Sequence, residues 1–517
     1  MREKLQKFII VSDSHLLKLS ALGLFSGLAA AIIIVAFRFI IEATQIAILP
    51  GDDPENYEAL SSLQIFLFPV VGGIIIGAIF HFIPASARAT GLIHTVDAIK
   101  NHRGHLPVVN TIAQFVGAAI SIIAGHSVGR EGPSVHLGAS SGGLVADLCN
   151  CSPQTKRILL ASGVAAAIAA SFNTPIAGVI FALEVIMLEY TAISTIPIII
   201  ASLTATIISH AVFGNAVTLS SPDLGIASGS ALIGMTINGV AIGLVAVIFI
   251  KLLVKITQKS KPFPIFWRLT LAGIITGVLA LGAPEIMSLG YDTLSDTFHG
   301  HIALSALIII LILKLLATTI GLGLGLPGGL IGPTLVIGAL TGSIVGLVLK
   351  LIFPEMTTSP GLFAMIGMGA MMGATLQAPL AALIAIFELT LNPHIILPGL
   401  VAIVAASLTA SELLKQPSII FALVRSKEID HDESLLTEKL RSMPITDIIQ
   451  PVNNVDEDIK NNLKKIPDNA TIADAVSAFR QTRYDQVYVC SDNTQPNKKI
   501  GIVDKQELSD FLRQFNQ

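Results

Sequence analysis

The stretch Gly129-Arg130-Glu131-Gly132-Pro133 places two charged residues inside sequence that is apolar enough to lie at membrane depth. Ionisable residues at that depth are energetically costly and usually have a function. The same frame of glycine and proline recurs 200 residues later as Gly329-Leu330-Ile331-Gly332-Pro333. The chain is therefore predicted to contain a duplicated membrane unit, in which one copy carries a glutamate and the other does not.

The composition is that of a membrane protein. Of the 517 residues, 52% are hydrophobic and 13% are charged, and the mean hydropathy is +0.75. A soluble globule does not bury that much apolar surface, so a polytopic membrane protein is predicted. The net charge of −3 provides no basic surface for nucleic acid, and three cysteines are too few for a disulfide framework. No cofactor and no metal site are expected.

A second pair of similar segments is separated by nearly the same number of residues as the first pair. Residues 173–184 (NTPIAGVIFALE) align with residues 377–388 (QAPLAALIAIFE) at an offset of 204. Glycine-rich contacts between membrane helices resemble one another generally, which is the alternative explanation. Two blocks with nearly one offset favour a duplication instead. The repeats are expected at about residues 63–214 and 266–414.

Several apolar segments are short or are interrupted by glycine and proline, which predicts broken helices that meet inside the protein. Backbone N–H groups at a helix N-terminus have no helical partner and carry a partial positive charge, so they bind anions. Glycine lets the backbone approach the ion, and proline in the first turn sacrifices no hydrogen bond. The two frames therefore predict an anion site that needs no full positive charge.

These motifs resemble those of the CLC family of chloride channels and proton/chloride antiporters, over about residues 20–426. Residues 129–133 match the GREGP motif of that family, and residues 329–333 resemble its GxFxP motif. The resemblance implies an all-α, inverted-repeat membrane fold, a homodimer with a pore in each subunit, and Glu131 as the gating glutamate. Its carboxylate would compete with the anion and move away when protonated. The implied anion-binding residues are Thr90, Gly129, Arg130, Leu330, Ile331 and, near the inner mouth, Ile419.

Differences from the family bear on the mechanism. Thr90 replaces a serine, Ile331 a phenylalanine and Ile419 a tyrosine, and Val185 follows Glu184 where many antiporters carry a second glutamate. Val185 and Ile419 favour channel-like or loosely coupled chloride flux. Proton/chloride antiport is the alternative, because Glu131 is present. Glu184 has a counterpart in the other repeat, which favours a structural role at a helix end.

Two other classes of protein are less consistent with the sequence. An intramembrane enzyme, with Glu131 as general base, is a remote alternative that needs a nucleophile or metal constellation, and no His-x-x-x-His pair occurs. No enzymatic activity is therefore expected. In a membrane receptor that senses a ligand through its C-terminal part, a single span would be enough for anchoring. The duplicated frame therefore argues against a receptor.

The chain divides into an N-terminal segment (1–18), a membrane domain (19–426), a charged linker (427–442) and a small C-terminal domain (443–517). The last domain resembles one CBS module, an α/β fold that is expected to pair across the dimer. A nucleotide ligand is one hypothesis for it, and a purely structural role is the other. Basic residues before the first span predict cytoplasmic termini. The short loops suggest a bacterial-type inner or plasma membrane.

Overall fold

The computed structural model forms two compact units, Met1–Lys427 and Glu428–Gln517. In the first unit the structure describes residues 2–51, 53–101, 104–214, 230–353 and 359–426. In the second unit it describes residues 445, 450–451, 465–467, 470–481, 486–490, 501–504, 506 and 508.

The described part of the first unit is helical. Its first half contains α1 (Arg2–Ile48), α2 (Ser62–Phe82), α3 (Gly91–Asn101), α4 (Val108–Ile123), α5 (Glu131–Leu148), α6 (Pro153–Phe172), α7 (Pro175–Phe181) and α8 (Ala192–Phe213). Its second half contains α9 (Ser230–Ser260), α10 (Ile265–Ala280), α11 (Tyr291–His299), α12 (Leu304–Leu324), α13 (Ile331–Ile352), α14 (Pro360–Leu376), α15 (Pro379–Thr390), α16 (Ile396–Leu408) and α17 (Ile419–Ser426). Within the described residues, eight helical segments are long and apolar enough to cross a membrane. The predicted helical, polytopic fold is confirmed.

The helices break at equivalent places in the two halves. α6 ends before Asn173 and α14 before Gln377, and both residues adopt a left-handed conformation, with φ of 60° and 57°. Pro175 and Pro379 then occupy the first positions of α7 and α15. Proline cannot donate the hydrogen bond that would continue the preceding helix, so a new helix begins there. The broken helices that glycine and proline predict are therefore present at these two places.

The packing of the two halves is also equivalent. α5 crosses α6 where a Cβ on Gly163 would lie 2.0 Å from the carbonyl oxygen of Gly138, and α13 crosses α14 where a Cβ on Gly367 would lie 2.3 Å from the carbonyl oxygen of Gly338. Only glycine permits backbones to approach so closely. These crossings bury α6 and α14 in the centre of the unit and fix the start of α5 and of α13.

The second unit contains a four-stranded sheet in the order β1-β4-β3-β2. Its elements are β1 (Gln450–Pro451), β2 (Lys465–Pro467), α18 (Ile472–Gln481), β3 (Gln486–Cys490) and β4 (Gly501–Asp504). β2 and β3 are parallel and are joined through α18, whereas β4 is antiparallel to both β3 and β1. Residues 443–444, 446–449, 507 and 509–517, on which part of the CBS resemblance depends, lie outside the described residues.

Candidate functional site

The two repeats meet at Gly129 and Gly329. The N–H of Gly129 donates to the carbonyl of Gly329 at 2.7 Å, and the N–H of Gly329 donates to the carbonyl of Gly129 at 2.6 Å. Reciprocal contacts of this kind are those of a local two-fold axis. α5 begins two residues after the first glycine, at Glu131, and α13 begins two residues after the second, at Ile331. Two helix N-termini therefore lie next to each other in the interior.

The carboxylate of Glu131 lies in a cradle made of glycine backbone. A Cβ on Gly129 would stand 1.9 Å from its Oε2, and a Cβ on Gly329 would stand 3.1 Å from the same atom. A Cβ on Gly332 would stand 2.8 Å from its Oε1. We call Gly129, Gly329 and Gly332 the glycine cradle. Any side chain at these positions would occupy the space that the carboxylate fills.

The Glu131 carboxylate is buried, and several hydrogen-bond donors surround it. Glu131 is 2% exposed, and the backbone N–H groups of Glu131 and Gly332 are directed at its carboxylate. Its Oε1 also accepts a hydrogen bond from the hydroxyl of Tyr291 at 3.2 Å, whereas Oε2 has no close hydrogen-bond partner in the described part of the chain. The cradle is thus a helix-terminus anion site in which a side chain of the same chain supplies the anion.

Residues of the cradle or of the Glu131 motif line two cavities. The Thr90 cavity, of about 500 Å³, is lined in part by Thr90, Gly132, Gly329, Leu330 and Ile331. The Arg130 cavity, of about 350 Å³, is lined in part by Arg38, Glu42, Glu55, Arg130 and Tyr291. Arg130 lines one cavity and Gly132 the other, and Glu131, the residue between them, lines a third, smaller cavity of about 40 Å³ together with apolar residues such as Phe172 and Leu335.

Arg130 does not neutralise Glu131 by an ion pair. Its guanidinium lies 3.5 Å from the carboxylate of Glu42, which also pairs with Arg38 at 2.6 Å. It also lies 5.1 Å from the ring centroid of Phe172 and 5.4 Å from that of Tyr291, where a cation is attracted to the ring face. The positive charge of Arg130 is thus held beside the Arg130 cavity, whose lining also includes the carboxylates of Glu42 and Glu55.

The structure brings together only part of the predicted anion site. Thr90, Leu330 and Ile331 line the Thr90 cavity. The N–H of Gly129 is occupied by the carbonyl of the opposite repeat, and the side chain of Arg130 faces the other cavity. Ile419 is fully buried at the start of α17, and Leu423, one turn further along, is the residue of this helix that lines the Thr90 cavity. The anion-binding roles of these residues stay predictions.

Three residues of the site were not predicted as ligands: Gly329, Gly332 and Tyr291. The two glycines belong to the segment 329–333. Its repeat of the glycine and proline spacing of residues 129–133 is the signal that could have identified them. Tyr291 lies 160 positions from Glu131 and has no motif around it. Only the tertiary fold brings its hydroxyl to the carboxylate.

Glu184 and Glu388 each join the two repeats. Glu388 accepts hydrogen bonds from the N–H groups of Ile176 and Ala177, at 3.0 and 2.6 Å, in the first turn of α7. Glu184 accepts hydrogen bonds from the N–H groups of Leu380 and Ala381, in the first turn of α15, at 3.3 and 2.7 Å. A carboxylate at a helix N-terminus satisfies free donors and complements the helix dipole. The predicted structural role of Glu184 at a helix end is consistent with this geometry.

Glu388→Gln is expected to destabilise the protein by about 1–2 kcal/mol, because the amide keeps one acceptor oxygen and loses the charge at the N-terminus of α7. Thermal unfolding of the purified protein in detergent measures the effect. Glu189→Gln, at an exposed position beyond α7, is the matched control and should unfold like the wild type. Equal unfolding temperatures for both variants would contradict the capping role.

Glu55 lies in the loop between α1 and α2 and faces the Arg130 cavity. Burial and the nearby carboxylate of Asp292 raise its pKa from 4.5 to about 7. The folded protein therefore holds this proton more tightly than the unfolded chain does. The resulting stabilisation is fully present below about pH 4.5 and is lost as the pH rises through about 7.

We expect the unfolding temperature of the wild type to fall between pH 5 and pH 8 and that of Glu55→Gln to fall less, because glutamine does not titrate. Thermal scans across this pH range, in one buffer series at constant salt, test the difference. Parallel curves for the two proteins would show that Glu55 does not contribute.

The chain is similar in sequence to known chloride channels and chloride/proton exchange transporters. Residues 72–411 match the family described as voltage gated chloride channel. A ClcB-like chloride channel protein of Ralstonia nicotianae is 28% identical over 392 residues, which are 74% of this chain and 91% of that protein. The H⁺/Cl⁻ exchange transporter ClcA of Vibrio vulnificus is 31% identical over 307 residues, which are 57% of this chain and 66% of that protein.

The fold is also that of a solved structure. The crystal structure of a slow cyanobacterial Cl⁻/H⁺ antiporter is similar with a TM-score of 0.69 and 25% sequence identity. The similarity covers 81% of this chain and 99% of that one. It therefore includes most of the first unit, in which the glycine cradle lies.

Proposed function

Because this chain belongs to the family of voltage-gated chloride channels, we propose that it carries chloride across a membrane in exchange for protons, with Glu131 as the gate. The observation that carries the proposal is the position of the Glu131 carboxylate. It occupies the glycine cradle at two helix N-termini, and the residues on either side of it in the sequence line a cavity of about 500 Å³ and one of about 350 Å³. In this proposal, chloride that passes from one cavity to the other does so through the glycine cradle.

The cradle makes anion and proton compete. Ionised Glu131 is held by backbone N–H groups, which would equally well replace the hydration shell of chloride. Protonation removes the charge that these donors stabilise, so a neutral Glu131 is the weaker competitor and chloride can enter. When chloride leaves, the carboxylate returns to the cradle and releases its proton. One group thus links the two ions.

The relatives favour exchange over the channel-like flux that the sequence alone favoured. ClcA of Vibrio vulnificus is named an H⁺/Cl⁻ exchange transporter, and the cyanobacterial structure is that of a Cl⁻/H⁺ antiporter. Val185 supports a second candidate, which is loosely coupled or channel-like flux. It is a buried apolar residue where many antiporters carry a second glutamate, and valine cannot pass a proton on.

The test is a flux measurement on the purified protein in liposomes that hold a chloride gradient and no proton gradient. External chloride and external pH are recorded together, and a proton uncoupler serves as the control for leak. Exchange predicts that chloride leaving the vesicle drives protons in the opposite direction, against a gradient that builds up. Chloride flux without any pH change, with the membrane voltage clamped by valinomycin and potassium, would reject exchange and support the second candidate.

The subunit arrangement, the orientation in the membrane and the role of the second unit are proposed from the sequence. We propose a homodimer with a pathway in each subunit, cytoplasmic termini and an inner or plasma membrane location. For the second unit we keep the proposal of a CBS-like cap, with nucleotide binding as one hypothesis. Cross-linking in native membranes, and protease access from the cytoplasmic side, would test the first two of these proposals.

A further inference from the structure

Tyr291 is the side chain that contacts the gating carboxylate from outside the two repeated motifs. Its hydroxyl donates to Oε1 of Glu131 at 3.2 Å, and the guanidinium of Arg130 lies 5.4 Å from the centroid of its ring. We propose that Tyr291 is a positioning residue that holds ionised Glu131 in the glycine cradle and so sets how readily, and at what pH, the gate opens. This inference rests on the proposed function.

The backbone around Tyr291 is fixed from several sides. Its N–H donates to Oε2 of Glu55 at 2.9 Å. In the preceding loop the carbonyls of Ile286 and Ser288 accept hydrogen bonds from Nζ of Lys314, at 2.9 and 3.1 Å. Gly290, directly before α11, has φ of 79°, which favours glycine.

Lys314 is fully buried in the apolar helix α12. A cation there is costly unless its donors are satisfied, and two of them bind the loop that leads to Tyr291. The N–H of Ser288 in the same loop donates to the carbonyl of Gly125 at 3.2 Å, shortly before the Glu131 motif. The hydroxyl is therefore presented by a loop anchored to the same structure that carries the gate.

The contact favours one state of the gate. The charged groups near Tyr291 include Glu131, Arg130, Glu55 and Arg38, and its hydroxyl donates to Glu131. A hydroxyl that donates to a carboxylate stabilises the ionised form more than it stabilises the neutral acid. For Glu131 to leave the cradle, this hydrogen bond must break. Its loss should therefore open the gate more often and shift opening to higher pH.

Tyr291→Phe tests the proposal, because it removes the hydroxyl and keeps the ring beside Arg130. We expect chloride flux at pH 7 to rise about threefold to tenfold, and the pH of half-maximal flux to rise by about 0.5–1 unit, since both effects report one lost charge-assisted hydrogen bond. Tyr190→Phe, at an exposed position, is the matched control and should leave both values unchanged. Thermal unfolding checks that each variant is folded.

A double variant separates positioning from a structural effect. In the Glu131→Gln background, Tyr291→Phe is expected to change neither the flux nor its pH dependence, because the carboxylate on which the hydroxyl acts is gone. The same increase in both backgrounds would overturn the proposal and assign Tyr291 a structural role. An unchanged pH profile of Tyr291→Phe in the wild-type background would also overturn it.

Failure of this inference is distinguishable from failure of the proposed function. If Glu131→Gln alters pH dependence and Tyr291→Phe does not, the gate stands and only the role of Tyr291 is wrong. If Glu131→Gln leaves pH dependence intact, the proposed function itself fails.

Discussion

Glu131→Gln is expected to carry chloride at a rate that no longer depends on pH and to move no protons at all. Glutamine is nearly isosteric with glutamate but has no ionisable proton at any pH. It also lacks the charge that lets the carboxylate compete with chloride for the backbone N–H groups of Glu131 and Gly332. The loss of proton movement should be complete, because the proposed coupling runs through this one group.

The measurement is the liposome assay with simultaneous recording of chloride and pH, repeated at several pH values. Glu189→Gln, an exposed glutamate, is the control for the loss of a carboxylate elsewhere. It should keep both proton movement and pH dependence. Proton movement at the wild-type rate in Glu131→Gln would mean that another group couples the two ions.

Gly129→Ala is the substitution with the next largest expected effect. The added Cβ would stand 1.9 Å from Oε2 of Glu131 and 3.0 Å from the backbone nitrogen of Gly332. It fills the place that the carboxylate and the passing anion share. We expect chloride flux to fall by about 100-fold or more, since overlaps of this depth cost several kcal/mol and about 1.4 kcal/mol is a factor of ten.

The matched control is Gly282→Ala, where the nearest atoms to the added Cβ are at 3.3 and 3.4 Å. That variant should transport like the wild type. Unfolding temperatures of both variants show whether the effect of Gly129→Ala is local. Normal or increased flux in a folded Gly129→Ala protein would mean that chloride does not pass through the cradle.

The local parts of the site could be predicted from the sequence. A charged pair within apolar residues, glycine that lets the backbone come close, and proline in a first turn are all features of short segments. They identified Glu131 and the frame at residues 329–333. α5 begins at Glu131, and α13 begins at the equivalent position of the second frame. The reason is that helix starts depend mainly on nearby residues.

Contacts between distant segments could not be predicted in the same way. The pairing of Gly129 with Gly329 and the capping of α7 by Glu388 depend on how the two repeats pack. Tyr291 reaches Glu131 only because its loop is anchored by Lys314 and Glu55. In α17, Ile419 is buried and Leu423 lines the Thr90 cavity, and the anion-binding role of Ile419 stays a prediction.

The central claim is that the carboxylate of Glu131 and a transported anion use the same place in the glycine cradle. Anomalous scattering from crystals grown in bromide, for the wild type and for Glu131→Gln, tests it most directly. The account predicts a bromide peak against Gly129, Gly329 and Gly332 in the variant, and the carboxylate without bromide there in the wild type at neutral pH. Bromide in the wild-type cradle beside an ionised Glu131, or an empty cradle in the variant, would contradict it.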